Sequence, residues 1–334
     1  MTEQIERDFK KFFFGKNTYE ENMRLLRKLD PTKIGSKNVL KLVDVLRESL
    51  KEHTSKIDFL SEDCVGVFGS GGDRLKTINA STLATIIASS EMKICKLGTR
   101  GLTSKWGSQD LLAKMGYELT MEKDKLKYQL ENFNFCFLTT AGLGHPYNPE
   151  ARRAKIDVWK EGNHDIFKVI VPASYIIDIK KQVTGVYDKK LIPYVIDVFN
   201  HLGKEGLIIH SFDGIDELSP TANSLIIEIK NGKTKEYEVT PEELGIKRVG
   251  PEEIAEIGDL DEQVKCSWEI LEGKIKGSKR DFILMNVATI LYLGKKVENL
   301  KEGIKKANDL LDSGKALQNF KALINSQNPK KEFK

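Results

Sequence analysis

The residues of this chain that are able to do chemistry are densest between Val65 and Gly116. A short apolar strand, Cys64–Phe68, runs into Gly69-Ser70-Gly71-Gly72-Asp73. Thr77-Ile78-Asn79-Ala80-Ser81-Thr82 then leads into the apolar run Leu83–Ala88, which has the composition of a helix. Glycines at a strand end let the backbone turn tightly and bring bare N–H groups near a ligand. A Ser-Thr pair opening a helix adds hydroxyl donors where the helix dipole already favours an anion. Together these make a cradle for phosphate or pyrophosphate, although a Gly-Ser-Gly-Gly turn by itself is equally an ordinary structural turn. Downstream, Lys96 offers the positive charge that phosphate sites use. Asp216 and Glu217 are adjacent acids after a strand, hard oxygen donors of the kind Mg²⁺ takes, though such a pair alone is more often a solvated loop pair.

These residues sit in a chain of 334, of which 40% are hydrophobic and 31% charged, enough for a large core in one big domain or in a big domain with a small one. Lys+Arg (53) and Asp+Glu (49) nearly balance, giving +4, short of the basic excess of a domain that holds nucleic acid through its net field. Cys64, Cys95, Cys136 and Cys266 are scattered singly, with no Cys-x-x-Cys and no histidine pair at ligand spacing. They read as reduced, buried thiols of a cytoplasmic protein and argue against a zinc site. The opening MTEQIERDFKKFFF carries charges before and within its apolar patch, unlike a signal peptide, and no run approaches the ~20 apolar residues of a membrane span.

The elements that must position the chemistry follow from periodicity. Apolar residues spaced at three and four predict helices over Ile5–Phe14, Glu20–Leu29 and Val39–Glu52, punctuated by Asn17-Thr18, a helix cap, and by Asp30-Pro31-Thr32. This is a small helical domain over residues 1–60, joined by a returning helical segment near 145–165, with an apolar face suited to a dimer contact. Residues 61–334 alternate strand and helix. Strands are expected at Cys64–Phe68, Lys93–Lys96, Phe133–Leu138, Ile166–Val171 and Gly206–His210. Helices are expected at Ser81–Ser89, Ser108–Lys114, Asp124–Asn132, Pro149–Lys160 and Lys189–Leu202. That alternation predicts an α/β domain with a mainly parallel central sheet flanked by helices, and ligands at the carboxyl ends of its strands. Ser224–Val239 alternates around Asn231-Gly232 as a hairpin, Asp281–Leu293 reads as a buried helix, and Leu300–Ala322 as a terminal helix or helix pair ahead of a frayed tail at Pro329-Lys330-Lys331.

Set together, the motifs resemble the anthranilate phosphoribosyltransferase family, within the nucleoside phosphorylase/phosphoribosyltransferase class (glycosyltransferase family 3). The pattern G-T-G-G-D-x-x-x-T-F-N-x-S-T is met by Gly69–Asp73, Thr77-Ile78-Asn79 and Ser81-Thr82. K-H-G-N-R-x-x-S-S-K-S-G-S-A-D is met in part by Lys96-Leu97-Gly98-Thr99-Arg100, Ser104-Lys105-Trp106-Gly107-Ser108 and Asp110. G-V-Y-D and D-G-x-D-E-x-S appear as Gly185–Asp188 and Asp213–Ser219, and Arg280-Asp281, Asn286 and Asp312–Ala316 match the closing helices. The resemblance covers nearly the whole chain in order. It implies a Mg²⁺-dependent pentosyltransferase of tryptophan biosynthesis, a homodimer through the helical domain, that moves the 5-phosphoribosyl group from phosphoribosyl pyrophosphate to anthranilate or another aromatic amine. It further implies donor binding by Gly69, Ser70, Gly71, Gly72, Asp73, Thr77, Asn79, Ser81, Thr82, Lys96, Gly98, Thr99, Arg100, Ser104 and Ser108. Ser81, Asp216 and Glu217 would hold the metal, Gly69, Thr99, Arg152 and Pro172 would face the acceptor, and no residue is assigned as acid or base.

The departures fall on the acceptor side. Leu97 stands where the family has histidine, Thr99 where it has asparagine, Trp106 where it has serine, and Val171 where it has glycine, which would narrow the acceptor channel. The segment between Arg152-Arg153 and Phe167 is longer than usual and carries Trp159, Gly162 and His164. Either arginine is as readily a helix-surface charge as an acceptor clamp. His145 reads as a turn residue and His164 as a loop histidine, with a new acceptor contact as its minority role. Trp106 either fills a gap or stacks on the acceptor. Three functions remain in view. They are this transferase with anthranilate or another nitrogen acceptor, a nucleoside phosphorylase-like enzyme, which the complete Asp-Glu pair opposes, and a non-catalytic nucleic-acid binder, which the modest charge opposes.

Overall fold

A computed structural model describes residues 2–54, 57–59, 63–72, 75–101, 106–139, 148–174 and 179–327. The chain opens with α1 (Glu3–Phe13), α2 (Tyr19–Lys28), α3 (Pro31–Ile34) and α4 (Ser36–Thr54). Thr18 caps α2 in a capping box with Glu21, and Asp30 caps α3 with Pro31 in its first turn. The faces bearing Phe9, Phe12, Phe13, Leu26, Leu42 and Leu46 are fully buried, so this layer has an apolar core.

The α/β part begins with β1 (Val65–Gly69), α5 (Ala80–Ser89), β2 (Ile94–Gly98), α6 (Ser108–Lys114), α7 (Lys123–Phe133) and β3 (Phe135–Thr139). After α8 (Pro149–Lys160) and α9 (Phe167–Ser174) come β4 (Lys181–Gly185), α10 (Ile192–His201), β5 (Glu205–Ser211) and the hairpin β6 (Ser224–Lys230) and β7 (Lys233–Val239). The sheet has seven strands in the order β3-β2-β1-β4-β5-β6-β7. The first five are parallel and the hairpin is antiparallel. From β1 the chain builds outward to β3, then returns to lay β4 on the other side of β1, so the strand order reverses between β1 and β4. Open α/β sheets bind ligands at such a switch, beyond the carboxyl ends. The register Gly69↔Gly185 places the glycine turn there.

The C-terminal helices are α11 (Leu260–Leu271), α12 (Ser278–Leu293), α13 (Leu300–Asp312) and α14 (Lys315–Gln327). The run Phe282–Leu291 of α12 is buried on every side, as expected for a helix with no polar face, and the terminal segment is a helix pair. Asn231 (φ 51°) and Gly232 (φ 70°) make the left-handed hairpin turn. The tail at 329–331 lies outside the described residues. No helix among the described residues is long and apolar enough to cross a membrane.

The helices α3 and α11 have no counterpart among the expected elements, and in the sheet region two segments depart from expectation. Ile166–Val171 is not a strand but lies largely in helix α9. A six-residue apolar run cannot be told from a buried helix by pattern, and tertiary packing decides it here. Phe167 stacks on Phe9 and Phe12 at centroid distances of 5.2 and 4.8 Å, and Val169 and Ile170 are fully buried. The strand beside β1 is instead β4, Lys-Gln-Val-Thr-Gly, whose polar composition hides it. Gln182 and Thr184 are fully buried and bond to each other at 2.5 Å, while Lys204 donates to Gln182 at 2.8 Å.

The segment around α8 ties the helical layer to the rest. Asn148 donates to the Gly15 carbonyl (2.9 Å), Tyr19 to Asp157 (2.8 Å), and Arg27 forms a two-pronged pair with Glu161 (2.8 and 2.6 Å). His164 stands between Asp188 (3.0 Å) and Asp30 (3.4 Å), a structural clip. Burial pushes both carboxyls up. Hydrogen bonds outweigh it and hold both below the usual range, from Thr32 and the His164 backbone to Asp30, and from the Lys190 backbone and the His164 ring to Asp188. A carboxylate with a lowered folded pKa adds stability above its unfolded pKa and loses it as pH falls through the folded value. Asp30→Asn should therefore cost about 1–2 kcal/mol in urea unfolding at pH 7 and much less near pH 3; an equal cost at both pH values would remove the charge from this clip.

Candidate active site

The site starts where β1 ends. Ser70 N–H donates to the Gly185 carbonyl (3.0 Å) and its hydroxyl accepts from Tyr187 N–H (3.1 Å), so the turn is pinned to the end of β4. Asp216 Oδ2, from the loop after β5, accepts the Gly71 N–H at 2.7 Å. The approach depends on missing side chains. A Cβ on Gly69 would lie 2.5 Å from Asp216 Oδ2, and one on Gly185 would lie 1.6 Å from the Asp216 carbonyl oxygen.

The neighbouring acid closes the floor. Glu217 Oε1 accepts the Ser81 N–H at 2.7 Å, at the N-terminus of α5, and Lys96 Nζ donates to Ser81 Oγ at 3.0 Å. Burial, then the Asp216 charge, pushes Glu217 up to about 7. Burial lowers Lys96 to about 8, against the pull of Glu217 and Asp216. Burial first, and then the neighbouring Asp216, is why Glu217 resists ionisation even with the Lys96 ammonium near. Such a donor set fits a hard divalent cation. Among the described residues no three His, Cys, Asp or Glu side chains gather as a metal group. A cation here would complete its shell with hydroxyl, water or phosphate oxygens, which is how Mg²⁺ binds.

The loop after β2 forms the opposite wall. Asp110 accepts from Gly101 N–H (3.0 Å) and Gly107 N–H (2.9 Å), and Gln109 N–H donates to the Thr99 carbonyl (3.2 Å). Arg152 Nη2 donates to the Gly101 carbonyl (2.7 Å), linking this loop to α8.

A single cleft of about 500 Å³ collects most of the candidates. At the glycine-turn end its lining includes Gly69–Gly72, Asn79, Ser81, Thr82, Lys96 and Asp216, and the segment from the end of β2 to the start of α6 contributes Gly98, Thr99, Arg100 and Ser108. Arg152 lines it, whereas Arg153 points away, with its guanidinium 4.7 Å from the Tyr19 ring. Glu217 lies behind, lining a small adjoining cavity with Asp216 and Ser81. Thr77 is not in the lining; it forms an antiparallel bridge with Ala255. Asp73, Ser104 and His145 lie outside the described residues, as do the side chains of Val171 and Pro172, whose backbone belongs to α9. His164 serves the clip and is not in the lining.

Leu97, Trp106 and Trp159 also face the cleft. Lys155, Asp165 and Lys168 line it although sequence reasoning passed over them. Lys155 was detectable as the residue one helical turn after Arg152. Lys168 Nζ donates to the Gly71 carbonyl at 3.0 Å, a contact between distant segments that no local pattern foretells.

A family profile described as "Glycosyl transferase family, a/b domain" matches residues 61–317. An anthranilate phosphoribosyltransferase of Thermoanaerobacter sp. (strain X514) is 36% identical over 286 residues, covering 84% of this chain and 82% of the relative. Among solved structures, the anthranilate phosphoribosyltransferase of Saccharomyces cerevisiae in complex with PRPP and Mg superposes with a TM-score of 0.74 at 27% identity. The match covers 92% of this chain and 85% of that one. The enzyme of Thermus thermophilus gives a TM-score of 0.71 at 26% identity over 95% and 98% of the two chains.

Gly185→Ala drives a methyl into the Asp216 backbone and should cost about 1–3 kcal/mol in thermal or urea unfolding; an unchanged melting curve would mean that Asp216 has room to retreat.

Proposed function

The chain belongs to the anthranilate phosphoribosyltransferase family, and on that footing we propose that it transfers the 5-phosphoribosyl group of phosphoribosyl pyrophosphate to anthranilate, releasing pyrophosphate. One observation carries the proposal: the glycine turn, the N-terminus of α5, Lys96 and Asp216 converge on one cleft, with Glu217 directly behind its floor and bonded to the Ser81 N–H. Asn79, Ser81 and Thr82 offer polar groups to the pyrophosphate beside the Gly69–Asp73 turn, with Thr77 behind them. Lys96 adds a buried positive charge to the cleft floor. Gly98, Thr99, Arg100, Ser104 and Ser108 belong to the loop that would close around the ribose phosphate. Magnesium, held by Asp216 and Glu217 with the Ser81 hydroxyl, would supply charge neutralisation on the leaving pyrophosphate.

The acceptor amine attacks the anomeric carbon of the ribose. As that C–N bond forms, the C–O bond to pyrophosphate breaks, and pyrophosphate leaves with the electron pair. The nitrogen, positively charged once the C–N bond has formed, releases one of its own N–H protons to solvent, so a neutral amine needs no strong base. Positive charge develops on the sugar and negative charge on the leaving group, and Lys96 with the polar groups of Asn79, Ser81 and Thr82 at the start of α5 stabilises the latter. On the acceptor side Gly69, Thr99, Arg152 and Pro172 are the assigned wall, with Arg152 toward the carboxylate. The assembly this function carries is a homodimer through the helical layer, in the cytoplasm, where the buried thiols of Cys64, Cys95, Cys136 and Cys266 stay reduced.

A second acceptor has one observation in its favour. Leu97 replaces the family's histidine, and Trp106 and Trp159 face the same cleft, so an aromatic amine or base other than anthranilate would be the substrate of the same donor chemistry. Pyrophosphate release from phosphoribosyl pyrophosphate and Mg²⁺, with and without anthranilate, separates the two. Anthranilate-dependent release with loss of anthranilate fluorescence is expected, and donor binding with anthranilate ignored would select the second. Asp216→Asn should lower Mg²⁺-dependent turnover by on the order of a hundredfold; full activity in that variant would remove Asp216 from the metal site.

A further inference from the structure

Lys155 has no role in the functions assigned so far, and its surroundings are unusual for a lysine. It follows Arg152 by one turn of α8, on the same face, and both line the cleft. Its side chain is 14% exposed. The ammonium stands 4.2 Å from the centroid of Phe167 and 5.5 Å from that of Phe12. Its nearest carboxylate, Asp165, is 3.9 Å away and already accepts the Phe167 N–H at 3.0 Å. None of these contacts to the ammonium is a hydrogen bond. Among the described residues, then, a largely buried ammonium faces the cleft with aromatic rings behind it and no acceptor for its three N–H groups. Such an ion is costly to bury unless something completes its shell. Burial accordingly holds its pKa below that of an ordinary lysine, against the pull of Asp165.

We propose that Lys155 is a specificity-determining residue of the acceptor side, its ammonium taking the acceptor's carboxylate together with Arg152. The inference rests on the phosphoribosyl transfer proposed above and adds that the acceptor is an anionic aromatic amine held by two cations. Asp165 keeps the ammonium in place, and Phe167 shields it from bulk water, so the carboxylate is the partner that enters. A lysine paired only with Asp165 and stacked on Phe167 for structural reasons would leave acceptor affinity indifferent to its charge.

Lys155→Met retains the apolar stem and removes the charge. Equilibrium titration of anthranilate by its fluorescence should show affinity weakened by about tenfold or more. KM for anthranilate should rise in parallel while KM for phosphoribosyl pyrophosphate stays unchanged. 2-Aminobenzamide, which keeps the amine and ring but lacks the negative charge, should bind both proteins alike. Lys155→Arg should recover part of the loss, and Lys155→Gln replaces the methionine variant in the same comparison if that protein does not fold. Equal anthranilate affinity in wild type and variant, or an equal loss for the acid and the amide, overturns the inference alone. A wild-type protein that neither binds nor uses anthranilate overturns the assigned acceptor, and this inference with it.

Discussion

One carboxylate joins the two sides of the switch in strand order. Asp216 crosses from the loop after β5 to the Gly71 N–H, and the next residue, Glu217, holds the Ser81 N–H at the start of α5. A dipeptide thereby fixes both the glycine turn and the helix end that together form the floor of the cleft. It can do so only because two neighbouring positions lack a Cβ. The same closeness sets the electrostatics. Burial, with the Asp216 charge beside it, raises Glu217, and burial lowers Lys96 against the pull of both acids, so the two move toward one another. The sheet register, the long α8–α9 segment and the His164 clip serve to keep this arrangement in place.

Elements with a strong local signature were legible from sequence. The Ser224–Val239 hairpin carries Asn-Gly between alternating strands, α6 and α8 start where the apolar spacing places them, and Thr18 announces a helix start. What failed were segments whose environment contradicts their composition. β4 lies between β1 and β5 but is built from lysine, glutamine and threonine, and its burial is satisfied by the Lys204–Gln182–Thr184 hydrogen bonds. Alternation of apolar residues cannot reveal a strand whose inner face is polar and internally bonded. Ile166–Val171 is the mirror case, a β-branched run drawn into a helix by aromatic stacking of Phe167 on α1.

The cleft divides along the same line. The wall built on the glycine turn and α5 is written in contiguous motifs, because backbone amides and a helix N-terminus need only local turns to form. The facing wall is made by α8, the loop before α9 and the loop after β2, meeting at distances that only the fold determines. Arg152 could be singled out in advance, but which of two adjacent arginines faces inward depends on the phase of α8. Lys168 reaching the Gly71 carbonyl spans 97 positions, and no pattern in either segment names the other.

The bond between Gly71 and Asp216 spans 145 positions, which has a consequence for how the molecule comes into being. A growing chain that has passed Lys96 but not yet reached Asp216 holds the glycine turn and the start of α5, but neither acid that is bonded to them in the finished protein. β1, β2 and β3 are made long before β4 and β5, yet the cleft stands on the seam between these two groups. Closing that seam carries the loop-closure entropy of a long connection and is slow relative to helix formation. The cleft therefore cannot mature until β5 and the loop behind it have been made, and its integrity reports the joining of the two groups of parallel strands.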